Sequence, residues 1–209
     1  MKTIVHEIPY SPASNLDEEI FTASSVFFDI ETTGFSPAHT SLYLIGCAYH
    51  IEQMLYIKQF FAETPEEEKE VLEQFLLLLD GFDTIITFNG IGFDIPYLKA
   101  KCNTYECNEH FADFTYVDIF KSISQIKHIL QLPNYKQKTI EAFLGIGRDD
   151  LYSGGELIEI YHSYTKEPRP DKLEILLLHN YEDVLDMPAL LPVLSYVHLF
   201  YGQYLSCSA

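Results

Sequence analysis

With 209 residues, 47% of them hydrophobic and 21% charged, the chain can bury a real core as one sizeable domain. Lys and Arg number 13 against 31 Asp and Glu, a net charge of −18. That balance excludes a broad electrostatic grip on nucleic acid or on an anionic membrane, and leaves only a local basic patch or a site where cations screen phosphates.

The N-terminal MKTIVHEIPYSPASNLDEEI has no continuous apolar stretch suited to a secretory signal. Residues 1–20 are expected as an extension ahead of a domain over 21–209. SVFFDI, LYLIGCAYHI and MLYIKQFFA are short, aromatic and β-branched, and their spacing predicts three successive antiparallel strands. TPEEEKEVLEQFLLLLDG predicts a helix, with Thr64 as N-cap, Pro65 at its first position, acids in its first turn and Gly81 as its stop. FDTIITFNG reads as a buried strand leading into an NGIG turn, FDIPYLKAKC as a helix, and YVDIF as a short strand or strand–helix junction. From Lys121 onward the pattern is helical. MPALLPVLSYVHLFYGQYL lacks formal charge, but its prolines, Gly, Gln, His and tyrosines make it a buried terminal helix rather than a membrane span. The expected class is an α/β domain with a mixed central sheet, its first three strands antiparallel, flanked by helices. Cys47, Cys102, Cys107 and Cys207 lack zinc-site spacing and read as free thiols, consistent with a cytoplasmic location.

Three stretches carry chemistry. Asp29 and Glu31 lie two apart at the end of an apolar strand, so they share a face while Phe28 and Ile30 take the other. Adjacent carboxylates repel unless a proton or a cation joins them, and hard divalent cations favour such oxygens. A strand ending before Glu31 would instead leave that side chain in water. Asp94, in FNGIGFDIPYL, falls in the first turn of a helix, where it can be a ligand or a partner of the helix dipole. In HNYEDVLD, His179 and Asp183 share a helix face with Asp186 nearby, whereas Tyr181 points almost the opposite way. His179 can act as a base beside a bound Asp or sit hydrogen-bonded in a buried seam. Lys99, Lys101, Lys121, Lys127, Lys136 and Lys138, with Tyr135 among them, could track a single strand by phosphate contact and stacking, or be ordinary surface lysines.

Taken together and in this order, FFDIETTGF, TFNGIGFDIPYL and HNYEDVLDM resemble the three motifs of the DEDD superfamily of 3′–5′ exonucleases, which have a ribonuclease H-like fold. LPNYKQKTIEAFLGI is similar to the segment before the third motif, so the likeness covers about residues 24–194. Within that superfamily the chain looks like the YprB-like branch of predicted bacterial exonucleases, related to the exonuclease domain of family-B DNA polymerases. The resemblance implies that Asp29, Glu31, Asp94 and Asp183 hold two divalent ions, Mg²⁺ or Mn²⁺, that hydrolyse phosphodiesters at the end of single-stranded DNA or RNA. It implies too that Thr32, Thr33, Gly34 and Asn89 lie beside the terminal nucleotide. The third motif departs from the pattern: His179 stands four residues before Asp183, where one subclass has Tyr, and the His subclass has its residue five before. Two other readings compete. FFDIETTG is also similar to the strand end of haloacid dehalogenase-type phosphatases, with Glu31 in place of a second Asp, and a non-catalytic module of the same fold would bind nucleic acid or protein.

Overall fold

The computed structural model describes residues 1–12, 15–195, 197 and 206–207. In chain order these form β1 (Lys2–Pro9), α1 (Asn15–Ile20), β2 (Ser25–Thr32), β3 (Leu42–Ile51), β4 (Met54–Phe61), α2 (Glu68–Leu79), β5 (Thr84–Thr87), α3 (Asp94–Tyr105) and β6 (Thr115–Asp118). They continue as α4 (Ile119–Gln125), α5 (Lys127–Leu130), α6 (Gln137–Leu144), α7 (Gly154–Lys166), α8 (Pro170–Leu190) and β7 (Ser206–Cys207). The strands make one seven-stranded mixed sheet in the order β1-β4-β3-β2-β5-β6-β7. The expected antiparallel trio is present, with β2 paired to β3 and β3 to β4, while β5 runs parallel to β2 and β6 parallel to β5.

Residues 1–20 contain an element that the sequence reading did not place. β1 runs antiparallel along β4 from Lys2 opposite Phe61 to Pro9 opposite Met54, and so forms one edge of the sheet. Its exposed Val5, His6 and Glu7 and its terminal Pro9 suit an edge, where one row of backbone groups needs no partner strand. At the other end, α8 stops at Leu190 with Pro188 inside its last turn. The expected continuation of a terminal helix past Val197 lies outside the described residues, as does the side chain of Cys207. No described helix is long and apolar enough to cross a membrane.

Each face of the sheet packs its own core, because side chains along a strand alternate. Val26, Phe28 and Ile30 of β2 point to one face and pack with Val71, Leu72 and Phe75 of α2 and Ile95 and Leu98 of α3. Phe27 points to the other face, with Ile123 of α4, Ile140 of α6 and Val184 and Met187 of α8. Asp29 and Glu31 continue the Phe27 row and therefore face α8. A third cluster, Tyr43, Leu44, Phe61, Tyr161, Tyr164 and Leu176, locks α7 and α8 against β3 and β4, with the Tyr43 and Tyr161 rings stacked 4.2 Å apart.

The run of lysines from 99 to 138 does not form one basic track. Lys101 is buried, its ammonium 2.8 Å from Glu68 Oε1 and donating to the Thr40 carbonyl. Glu68 also accepts from the Leu42 amide at 2.6 Å and from the Tyr105 hydroxyl. Lys101 therefore ties α3 to α2 and β3 and is unavailable to a phosphate.

Candidate active site

The strand does run through Glu31, with an irregularity in its pairing only between Glu31 and Thr32. Asp29 stands opposite Gly46 on β3, and Gly46 opposite Gln59 on β4, a row across three strands. Over Gly46 lies the carboxamide of Asn180 from α8: a Cβ at position 46 would come within 2.1 Å of Asn180 Oδ1. The missing side chain lets helix and sheet approach closely. Gln59 Nε2 donates to Asn180 Oδ1 at 3.0 Å and to the Leu177 carbonyl at 2.9 Å, and Asn180 Nδ2 in turn reaches Asp29 Oδ2 at 3.3 Å. A fully buried amide pair thus sets the orientation of Asp29.

One helical turn aligns His179 and Asp183 with Glu31. His179 Nε2 lies 3.6 Å from Glu31 Oε1 and 3.3 Å from Asp183 Oδ2. One ligand atom each from Glu31, His179 and Asp183 can be chosen so that all lie within 4.8 Å of one another. Tyr181 turns away, as its spacing predicts, and meets the His6 ring edge-on at 4.8 Å at the far side of α8. Asp94, 6% exposed, sits at the start of α3, where its own amide and that of Ile30 favour the carboxylate charge against burial. The turn before it holds Asn89 at φ +67°, and Asp118 at the end of β6 accepts from the amides of Asn89 at 3.0 Å and Ile91 at 3.2 Å. That carboxylate fixes the NGIG turn to the neighbouring strand.

The loop between α6 and α7 adds a cation that the sequence reading missed. Arg148, its side chain only 7% exposed, places Nη1 2.6 Å from Asp183 Oδ1 and 3.1 Å from Glu141 Oε2. Its Nε is 3.3 Å from Glu182 Oε2, and Nη2 donates to the His179 carbonyl at 3.1 Å. Glu182 accepts the amides of Asp149 and Asp150 at 2.8 and 2.9 Å, stapling the loop to α8. The same loop delivers Asp150, whose Oδ2 accepts from His179 Nδ1 at 2.6 Å and from Lys138 at 2.5 Å. Burial acts against the Asp150 charge, but Lys138, the Tyr152 amide and His179 together hold its carboxyl below the usual range. The His179 Nδ1 proton is thereby fixed on the Asp150 side, and Nε2 faces the acids.

Burial, then the charges of Asp183, Asp94 and Glu31, push the Asp29 carboxyl well above its ordinary range. Burial and the charges of Asp183 and Asp94 do the same to Glu31, and burial raises Asp94 to about 7. Such a cluster of buried hard oxygen donors, whose charges oppose one another, suits a hard divalent cation. These carboxyls have folded pKa values above their unfolded ones. Their contribution to stability is complete below the unfolded values and is lost as pH rises through the folded ones. Chelator-treated protein is expected to melt progressively lower between about pH 5 and pH 8, and Mn²⁺ to raise Tm more at the upper end. Equal Mn²⁺ shifts at both pH values would contradict this origin of the cluster's strain.

The RNase_H superfamily model matches residues 26–195 of the chain. The chain belongs to the RNase H superfamily. It is 29% identical over 177 residues to the uncharacterized protein YprB of Bacillus subtilis (strain 168), a match that covers 83% of this chain and 41% of YprB. A 43-residue stretch is 42% identical to a DNA polymerase of Methanocaldococcus jannaschii, covering 21% of this chain and 3% of the polymerase. In three dimensions the chain is similar to the family B DNA polymerase of the archaeon Pyrobaculum calidifontis, with a TM-score of 0.62 and 19% identity over 82% of this chain and 24% of that one. The chain thus spans about two fifths of YprB and a quarter of the polymerase.

In this RNase H superfamily domain, membership replaces the phosphatase reading of FFDIETTG. The residues expected beside a substrate divide. Thr32 and Gly34 line a cleft of about 420 Å³ with Glu31, Phe35 and Phe93 on one side and Lys136 and the start of α7 on the other. Thr33 is not among the residues that line it, and its hydroxyl accepts from the Ser41 amide at 2.8 Å. Asn89 is exposed and opens on a neighbouring cavity with Lys136. Two signals for the missed residues were present in the chain: a glycine in the middle of a core strand, which marks close approach, and the charged RDD in a short loop.

Proposed function

We propose that the chain is a metal-dependent 3′–5′ exonuclease that removes nucleotides from single-stranded DNA or RNA. The observation that carries the reading is the approach of Asp29, Glu31, Asp94 and Asp183, from β2, α3 and α8, closely enough that the charges of Asp183 and Asp94 raise the proton affinity of Asp29 and Glu31. These four acids would hold two Mg²⁺ or Mn²⁺ ions, which when bound would acidify the attacking water and stabilise the departing 3′ oxygen.

The chain's own groups then have distinct tasks. Asn180 orients Asp29, and Arg148 holds one oxygen of Asp183 so that Oδ2 is left toward His179 Nε2. His179 accepts a proton at Nε2, and Asp150 is the positioning residue that keeps the Nδ1 proton in place. Thr32 and Gly34 border the space for the terminal nucleotide. The test is incubation of the purified chain with 5′-labelled single-stranded DNA and RNA in Mg²⁺ or Mn²⁺. Stepwise shortening from the 3′ end is expected. Binding without cleavage in either metal would instead favour the non-catalytic module.

His179→Phe is expected to lower kcat by about 10²- to 10⁴-fold. Asp150→Asn, which weakens the acceptor for the Nδ1 proton, is expected to lower kcat while leaving KM close to the original. An unchanged rate in the first variant removes His179 from the chemistry.

A further inference from the structure

Lys136 lines three cavities at once. It borders the cleft with Glu31 and Thr32, the hollow that contains Asp150 and His179, and a third cavity of about 390 Å³ with Phe88, Asn89, Phe120, Lys127 and Tyr135. In this third cavity the Lys127 ammonium lies 4.5 Å from the Phe120 ring centre and 4.9 Å from that of Tyr135. Phe88 leans on Phe120 at 5.8 Å. The Tyr135 hydroxyl donates to the Lys127 carbonyl at 2.7 Å and accepts from the Leu132 amide at 3.3 Å, so the ring is held in place.

Neither Lys127 nor Lys136 is paired with a carboxylate among the described residues. On a chain of net charge −18, two unpaired ammonium groups beside aromatic rings make a local exception to the acidic surface. A single strand has the matching chemistry, with bases that stack on rings and phosphates that take ammonium groups. Continuity through Lys136 joins the cavity to the cleft that Glu31 lines.

We propose that this cavity is the subsite for the nucleotide that follows the terminal one, its base against Tyr135 and Phe120 and its phosphate between Lys127 and Lys136. The inference rests on the proposed exonuclease activity and adds the path of the strand. It is tested by comparing a single-stranded dodecamer, as DNA and as RNA, with thymidine 5′-monophosphate p-nitrophenyl ester, which extends no further than one nucleotide.

Lys136→Ala and Tyr135→Leu are expected to lower kcat/KM on the dodecamer by about tenfold or more, through KM, with a loss at least several-fold smaller on the ester. Tyr135→Phe, which keeps the ring, is expected to restore most of the dodecamer rate. Each lysine removed should flatten the dependence of log affinity on log salt by about 0.7. Equal losses on both substrates, or none on the dodecamer, overturn the subsite. If the unaltered chain cleaves neither substrate in Mg²⁺ or Mn²⁺, the exonuclease reading fails. Anisotropy of a labelled dodecamer with Ca²⁺ then decides the subsite, which stands on a tenfold loss of binding in Lys136→Ala and falls without it.

Discussion

Arg148→Met is expected to destabilise the protein by about 3–5 kcal/mol, the cost of breaking a buried ion pair from one side. The guanidinium is the shared counter-ion of Glu141, Glu182 and Asp183, whose side chains are 1%, 10% and 13% exposed. Without it, three carboxylates crowd the seam between α6 and α8 and the loop loses its charged anchor. For a chain of this size the loss corresponds to roughly 6–20 °C in Tm, measurable by thermal melting at neutral pH. Burial already raises the proton affinity of Glu141 even with Arg148 present. Adding Glu141→Gln to Arg148→Met should therefore recover part of the lost stability, and a double-mutant cycle reads the coupling. A variant that melts with the parent would mean that the arginine is not the counter-ion its distances imply.

Asp29→Asn is expected to separate stability from activity. The amide keeps the shape and removes a charge that burial and Asp183 both disfavour. Chelator-treated Asp29→Asn should melt above the parent by a margin that grows as pH rises, because the amide is neutral without binding a proton. On the proposed function, kcat on single-stranded DNA should fall by about 10³-fold, several kcal/mol of transition-state stabilisation at 1.36 kcal/mol per factor of ten. Asp183→Asn should lose activity similarly without the same gain, since it also gives up the charge held 2.6 Å from Arg148. Cleavage that survives both substitutions would sink the exonuclease reading. A lower melting point for Asp29→Asn would show that Asn180 needs the carboxylate more than the site needs relief.

The apolar run in SVFFDIET was enough to read β2, and the two-residue repeat of strand geometry put Asp29 and Glu31 on one face. The i, i+4 spacing likewise separated His179 from Tyr181. β1 was not legible: KTIVHEIP is half charged or polar along its length and draws its stability from pairing with β4. Lys101 was misread for a related reason, since its partner Glu68 lies in another helix. Arg148, Asp150 and Asn180 depend on the α6–α7 loop folding back over α8, and on Gly46 and Gln59, one and two strands from β2. Nothing local in their spacing encodes that meeting.

Gly46 has a bearing on which ion the proposed site would accept. It belongs to β3, which contributes no acid, yet it sets how closely α8, with Asp183, lies over β2, with Asp29 and Glu31. Mg²⁺ requires ligand distances of about 2.0–2.1 Å, whereas Ca²⁺ takes about 2.3–2.6 Å. A methyl group at position 46 would push Asn180 outward and carry the helix with it, favouring the larger ion. Discrimination by ionic radius can therefore be tuned here without altering a single donor atom, by a residue whose contribution is the space it leaves empty.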